Sequence, residues 1–87
     1  MAARRRNNQP HPGILLRRTL GDLGMSQAAL SRESGLSQKH ISRIVTEQSG
    51  IGTDAAYALE RTLGIPAAQW IRLQADYDVA HHKRRAR

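Results

Sequence analysis

The stretch Gln38-Lys39-His40-Ile41-Ser42-Arg43 sets polar and basic side chains at helical spacing with no acid before Glu47. A glutamine can address adenine N6 and N7 together, and an arginine or lysine can address guanine O6 and N7. Gln38, Lys39 and Arg43 therefore carry a vocabulary for reading base edges, with His40 and Ser42 beside them. A helix of about ten residues spans ~15 Å, and its diameter fits a major groove ~12 Å wide. Further upstream, Ser26 and Gln27 open another short helical stretch, whose first amides suit a phosphate. Ser37, just ahead of Gln38, would lie near the same backbone.

Other chemistries find little support. There is no cysteine, so disulfides and thiolate metal sites are excluded. His81 and His82 are adjacent but lack carboxylate company, and His11 and His40 stand apart, so neither a metal nor a cofactor is expected. The seven acids mostly flank basic residues, and no Ser/His/Asp set or carboxylate pair can be assembled from them. The chain reads as a binding protein, not an enzyme. No apolar run approaches the ~20 residues of a membrane span, and no apolar stretch follows the N-terminal arginines, so no secretory signal is expected either.

The elements that must position these side chains are helical. Leu16, Leu20 and Leu23 recur at one face of a helix over about 13–23, closed by Gly24. Ser26 is a good N-cap for a second helix over about 27–34, with Met25 and Leu30 as a hydrophobic staple. The same unit repeats at once: Ser37 caps a third helix running to about Thr46, with Leu36 and Ile41 as its staple. Only Gly35-Leu36-Ser37 separates the two, and a glycine there permits the sharp corner of a helix-turn-helix. Thr53 is expected to cap a fourth helix from Asp54 to Leu63, ended by Gly64. Pro66 is expected to open a fifth helix reaching about Ala80, in which Trp70, Leu73, Tyr77 and Ala80 share a stripe that belongs to the core or to a dimer contact. The expected architecture is an all-α, compact five-helix bundle over 13–80. A flexible basic arm at 1–12 and a basic tail at 81–87 flank it.

The formal charge of +7 divides unevenly. Arg4, Arg5 and Arg6 give the N-terminal arm +3, and the segment 79–87 carries +4, so the body between them is neutral. Within that body, 13–43 sums to +3 and 44–78 to −3, which points an anionic partner towards the first half. The arginines of the arm could add phosphate contacts.

Ser26-Gln27-Ala28-Ala29-Leu30-Ser31, Gly35-Leu36-Ser37-Gln38 and Ile41-Ser42-Arg43-Ile44 together resemble the helix-turn-helix of the xenobiotic-response-element and Cro/CI repressor superfamily (XRE type) over about 13–63. The resemblance implies a lambda-repressor-like fold. It implies that Gln27 touches a phosphate, that Gln38, Lys39 and Arg43 face bases, and that Ser37 and Ser42 lie near the backbone. Pro12-Gly13-Ile14-Leu15-Leu16 and the string from Trp70 to Val79 are similar, more narrowly, to HigA-type antitoxins. That likeness implies a dimer that represses its own operon and neutralises a small mRNA-cleaving toxin. Two departures stand out: Ser31 replaces a usual alanine, and Thr46-Glu47-Gln48-Ser49 replaces a usual Asn-Gly-Lys-Arg.

The expectation is a homodimeric repressor that binds double-stranded DNA at a palindromic operator, in a bacterial or phage-encoded cytoplasmic setting at the nucleoid, away from any membrane. The alternatives are an antitoxin whose main task is to clamp a toxin, a stand-alone regulator of a phage or mobile element, and unspecific coating of nucleic acid by the basic tails.

Overall fold

The computed structural model describes residues 9–85, with side chains as far as His82; Arg4, Arg5 and Arg6 lie outside the described residues. Five α-helices and no strand are found among these residues: α1 (Pro12–Leu23), α2 (Gln27–Ser34), α3 (Gln38–Val45), α4 (Thr53–Leu63) and α5 (Ala67–Arg85). Short helices such as α2 and α3 are marginal alone and persist here through shared burial. Leu16 and Leu20 of α1, Leu30 of α2, Ile41 and Ile44 of α3, Leu59 of α4 and Trp70 of α5 meet in one core. Met25 and Leu36, the outer halves of the two staples, pack against it.

The ends of the helices follow their local chemistry. Ser26 Oγ accepts the Ala29 amide and Ser37 Oγ accepts the His40 amide, each at 3.0 Å. Gly24 and Gly64 close α1 and α4 in the left-handed region. At the corner between α2 and α3, Gly35 has φ 84°, which a side chain would resist. Leu36 is pinned there at both backbone groups: its amide donates to Ser34 Oγ at 3.1 Å, and its carbonyl accepts from Ser31 Oγ at 2.6 Å. Ser31 is thus more than a small residue that fits; alanine could not make that tie.

Several boundaries differ from expectation. α1 begins at Pro12, with His11 as N-cap and both residues buried, so the packed body reaches back into the segment assigned to the arm. The fourth helix starts at Thr53, not after it. Gly52 occupies the cap position and makes no side-chain bond. The cause lies one residue earlier, where Ile51 is drawn into the core and its amide is held by Gln74 Oε1 at 2.8 Å. α5 starts at Ala67, whose amide is accepted by Glu60 Oε1 at 2.9 Å. It continues past Ala80 to Arg85, because no glycine or proline follows Pro66 to stop it. Basic residues in its last turn also suit the carbonyl end of a helix. The segment from His81 to Arg85 is therefore helical and not a flexible tail.

Candidate nucleic-acid interface

On α3 one face is sealed by Ile41, Ile44 and Val45, and the other carries Gln38, Lys39, Ser42 and Arg43, all exposed; His40 is half-buried at the edge. Gln38 and Ser42 form one i, i+4 row, and Lys39 and Arg43 form the next, so the four project side by side. Ser26, Gln27 and Ser37 lie at the openings of α2 and α3. The hydroxyls of Ser26 and Ser37 are already acceptors in their caps, which leaves each O–H proton to donate outward. Ser26 takes the Ala29 amide by its side chain and the Leu30 amide by its carbonyl. The amides of Gln27 and Ala28 are therefore left for an outside acceptor such as a phosphate oxygen.

The C-terminal end of α3 is held from behind by Arg17 and Gly13, of which the sequence marked only Gly13, in the string from Pro12 to Leu16, without giving it this role. Arg17 Nη1 donates to the Val45 carbonyl at 3.3 Å, a cation at the negative end of a helix. Gly13 lies so close that a Cβ there would run into the Ile44 carbonyl. Besides the place of Gly13 in that string, the sequence signal was a glycine directly after a proline in a first helical turn, where most side chains would serve the helix better. The amides of Gln48 and Ser49 both donate to the Arg43 carbonyl, at 2.8 and 3.1 Å, and fold the following loop back over the helix end.

In that loop Glu47 is the one non-glycine residue with positive φ among the described residues, at 65°. This is the position at which the resembling family carries glycine, so the left-handed backbone is kept while a side chain is forced into it. Glu47→Gly is expected to raise stability by about 0.5–1 kcal/mol, the relief of the left-handed conformation being partly offset by glycine's freedom in the unfolded chain. A chemical-denaturation midpoint measures it.

The stripe on α5 resolves into separate roles. Trp70 is fully buried and belongs to the core, not to a dimer contact. Leu73 is half-buried beside Ile14 and Leu15 in a groove against α1. Tyr77 meets His11 edge-on, with ring centroids 4.9 Å apart, and stacks on His81 at 4.1 Å. His11 and His81 are accordingly not isolated. The partner of His11 comes from the other end of the chain, which spacing could not reveal, whereas His81 meets Tyr77 one turn away on α5, a contact hidden only because the helix was expected to end near Ala80. Among the described residues no three His, Cys, Asp or Glu side chains converge as a metal site. No helix among these residues is long and apolar enough to cross a membrane.

Two capped helices at a glycine corner, the second with an acid-free outer face, define a helix-turn-helix protein. Residues 16–70 match the sequence profile of the helix-turn-helix family, and the chain belongs to that family. Within it the likeness is to the HigA antitoxins. The structure of an addiction module antidote protein of the HigA family from Coxiella burnetii superposes with TM-score 0.83 at 26% identity, over 90% of this chain and 86% of that one. Pseudomonas aeruginosa antitoxin HigA, solved with the higBA promoter, superposes with TM-score 0.77 at 35% identity, over 87% of this chain and 89% of that one. Virulence-associated protein I of Dichelobacter nodosus is 39% identical over 77 residues, which is 85% of this chain and 71% of that protein.

Proposed function

We propose that the chain is a sequence-specific repressor that lays α3 in the major groove of double-stranded DNA, as a homodimer on a palindromic operator in the bacterial cytoplasm. The acid-free outer face of α3, held rigid from behind by Arg17 and Gly13, carries the reading. Gln38, Lys39 and Arg43 supply base contacts, while Ser26, Gln27, Ser37 and Ser42 supply backbone contacts, with His40 at the rim. Arg4, Arg5 and Arg6 add cations that raise affinity without adding specificity. That the Pseudomonas aeruginosa relative was solved with the higBA promoter supports DNA binding. Selection of bound oligonucleotides from a random pool tests the proposal. The expected result is an inverted repeat whose half-sites lie about 34 Å, one helical turn, apart. Enrichment of no sequence at all would refute it.

The two-fold contact is assigned to the outer face of α5. With Trp70 and Tyr77 turned inward, Ala68, Ile71, Ala75 and Val79 remain as an exposed apolar stripe, and Val79 is 77% exposed. An antiparallel pairing centred on Ala75 sets Ile71 opposite the partner's Val79 and brings Arg72 beside the partner's Asp76. The alanine at the centre lets the backbones approach. Val79→Glu is expected to convert the dimer to monomer in sedimentation equilibrium. The monomer's own stability should change by less than about 0.5 kcal/mol, since the site is solvent-exposed.

A second reading, neutralisation of a small mRNA-cleaving toxin, is favoured by the antidote character of the Coxiella burnetii relative. Co-purification with the product of an adjacent small basic reading frame tests it.

A further inference from the structure

The residue that caps the start of α1 is placed at a joint of the whole fold. His11 retains 4% of its surface exposed, and its Nδ1 accepts the Gly13 amide at 2.9 Å. An imidazole accepts at Nδ1 only while that nitrogen carries no proton, so this cap requires the neutral ring. The same ring packs on Tyr77, which stacks on His81, and His81 Nδ1 lies 2.8 Å from the Tyr77 carbonyl. The charged and titratable groups that face His11 are Glu47 from the loop after α3, and Tyr77, Asp78 and His81 from α5. Arg18 of α1 itself lines the groove on the other side. The amide that His11 caps belongs to Gly13, the residue seated on the Ile44 carbonyl of the reading helix. Cap, aromatic column and the end of α3 therefore share one point.

We infer that His11 is a positioning residue that makes the seat of the reading helix depend on an uncharged imidazole, so that acidification loosens the joint and weakens operator recognition. The operator part of this statement rests on the DNA-reading proposal; the coupling of His11 to the fold does not. Burial holds His11 below its ordinary value of 6.5, against the upward pull of Glu47, Asp78 and the Ser49 backbone, while His81 pushes the same way as burial. The unfolded chain takes up this proton near 6.5, ahead of the folded one. The stabilisation is thus complete above that pH and is lost progressively as pH falls below it, towards the lower folded value.

The experiment compares the wild-type chain with His11→Asn and His11→Ala between about pH 7.5 and about pH 5.5, the range in which histidine titrates. Asparagine can accept the Gly13 amide as an N-cap and does not titrate. The thermal midpoint of the wild type is expected to fall with acid, that of His11→Asn to stay level, and that of His11→Ala to be low and level throughout. The Gly13 amide should lose exchange protection in acid in the wild type alone. Operator affinity should drop about threefold or more in the wild type as the competent fraction shrinks, and not in His11→Asn. Equal pH slopes for wild type and His11→Asn would overturn the inference. So would a His11 ring signal in wild-type protein that titrates at or above 6.5, a measurement that needs no variant. If no operator is bound even at neutral pH, the DNA-reading proposal fails, while the midpoints and the amide exchange still decide the role of His11.

Discussion

Replacing Gly13 with alanine is expected to destabilise the protein by about 3 kcal/mol, the upper part of the usual range for forcing extra volume into a packed site. The added methyl would occupy the position of the Ile44 carbonyl, a backbone group that cannot swing aside as a side-chain tip can. α1 must then back away from α3, which loosens the Arg17 bond to Val45 and the His11 cap together. For a domain of this size such a loss lowers the thermal midpoint by roughly 12–24 °C, at about 4–8 °C per kcal/mol. Calorimetry of the purified variant measures it. Gly21→Ala is the matched control, since Gly21 lies on the exposed face of the same helix and a Cβ there meets nothing. That substitution should stabilise by about 0.5–1 kcal/mol, because alanine is the better helix former. If Gly13→Ala behaves like Gly21→Ala, the close approach of α1 to α3 is not a determinant of the fold.

Arg43→Ala is expected to cost about 1–3 kcal/mol of specific binding per half-site, or roughly 5- to 150-fold, and to relax the preference at one base position in each half-site. Arg43 is exposed and its side chain supports no packing, so the thermal midpoint should change by less than about 0.5 kcal/mol equivalent. Lys39→Ala, one turn earlier on the same row, distinguishes a base contact from a phosphate contact. A base reader changes the selected sequence. A phosphate contact weakens all sequences alike and reduces the salt slope by about one. Uniform weakening by Arg43→Ala would remove it from the reading set.

Much of the architecture was legible because its signals are local. Ser26 and Ser37 each sit before a short apolar-periodic run, and a side-chain oxygen capping an amide three residues on needs no tertiary context. Gly24, Gly35 and Gly64 mark corners for an equally local reason. Thr53 misled because a threonine before a helix looks like a cap, whereas the burial of Ile51 and its bond to Gln74, far away in the chain, set where α4 begins. His11 was misjudged because its company, Tyr77 and His81, comes from the far end of the chain.

The division follows from the range of the forces involved. Helix periods, caps, corners and the acid-free polar face of the third helix are written within a few consecutive residues, and from these the sequence by itself determined the helix-turn-helix and its outward side chains. Which residues hold that helix in place was decided only when the chain closed on itself. Gly13 against Ile44, Arg17 against Val45 and Gln74 against Ile51 are contacts between distant segments, and no short stretch of sequence contains both partners. The tertiary structure likewise turned Trp70 into the core and left Ile71 and Val79 outside. Helical spacing alone allowed either face of α5 to be buried, and the bulk of the indole, which needs the largest space in the core, selected the one that is.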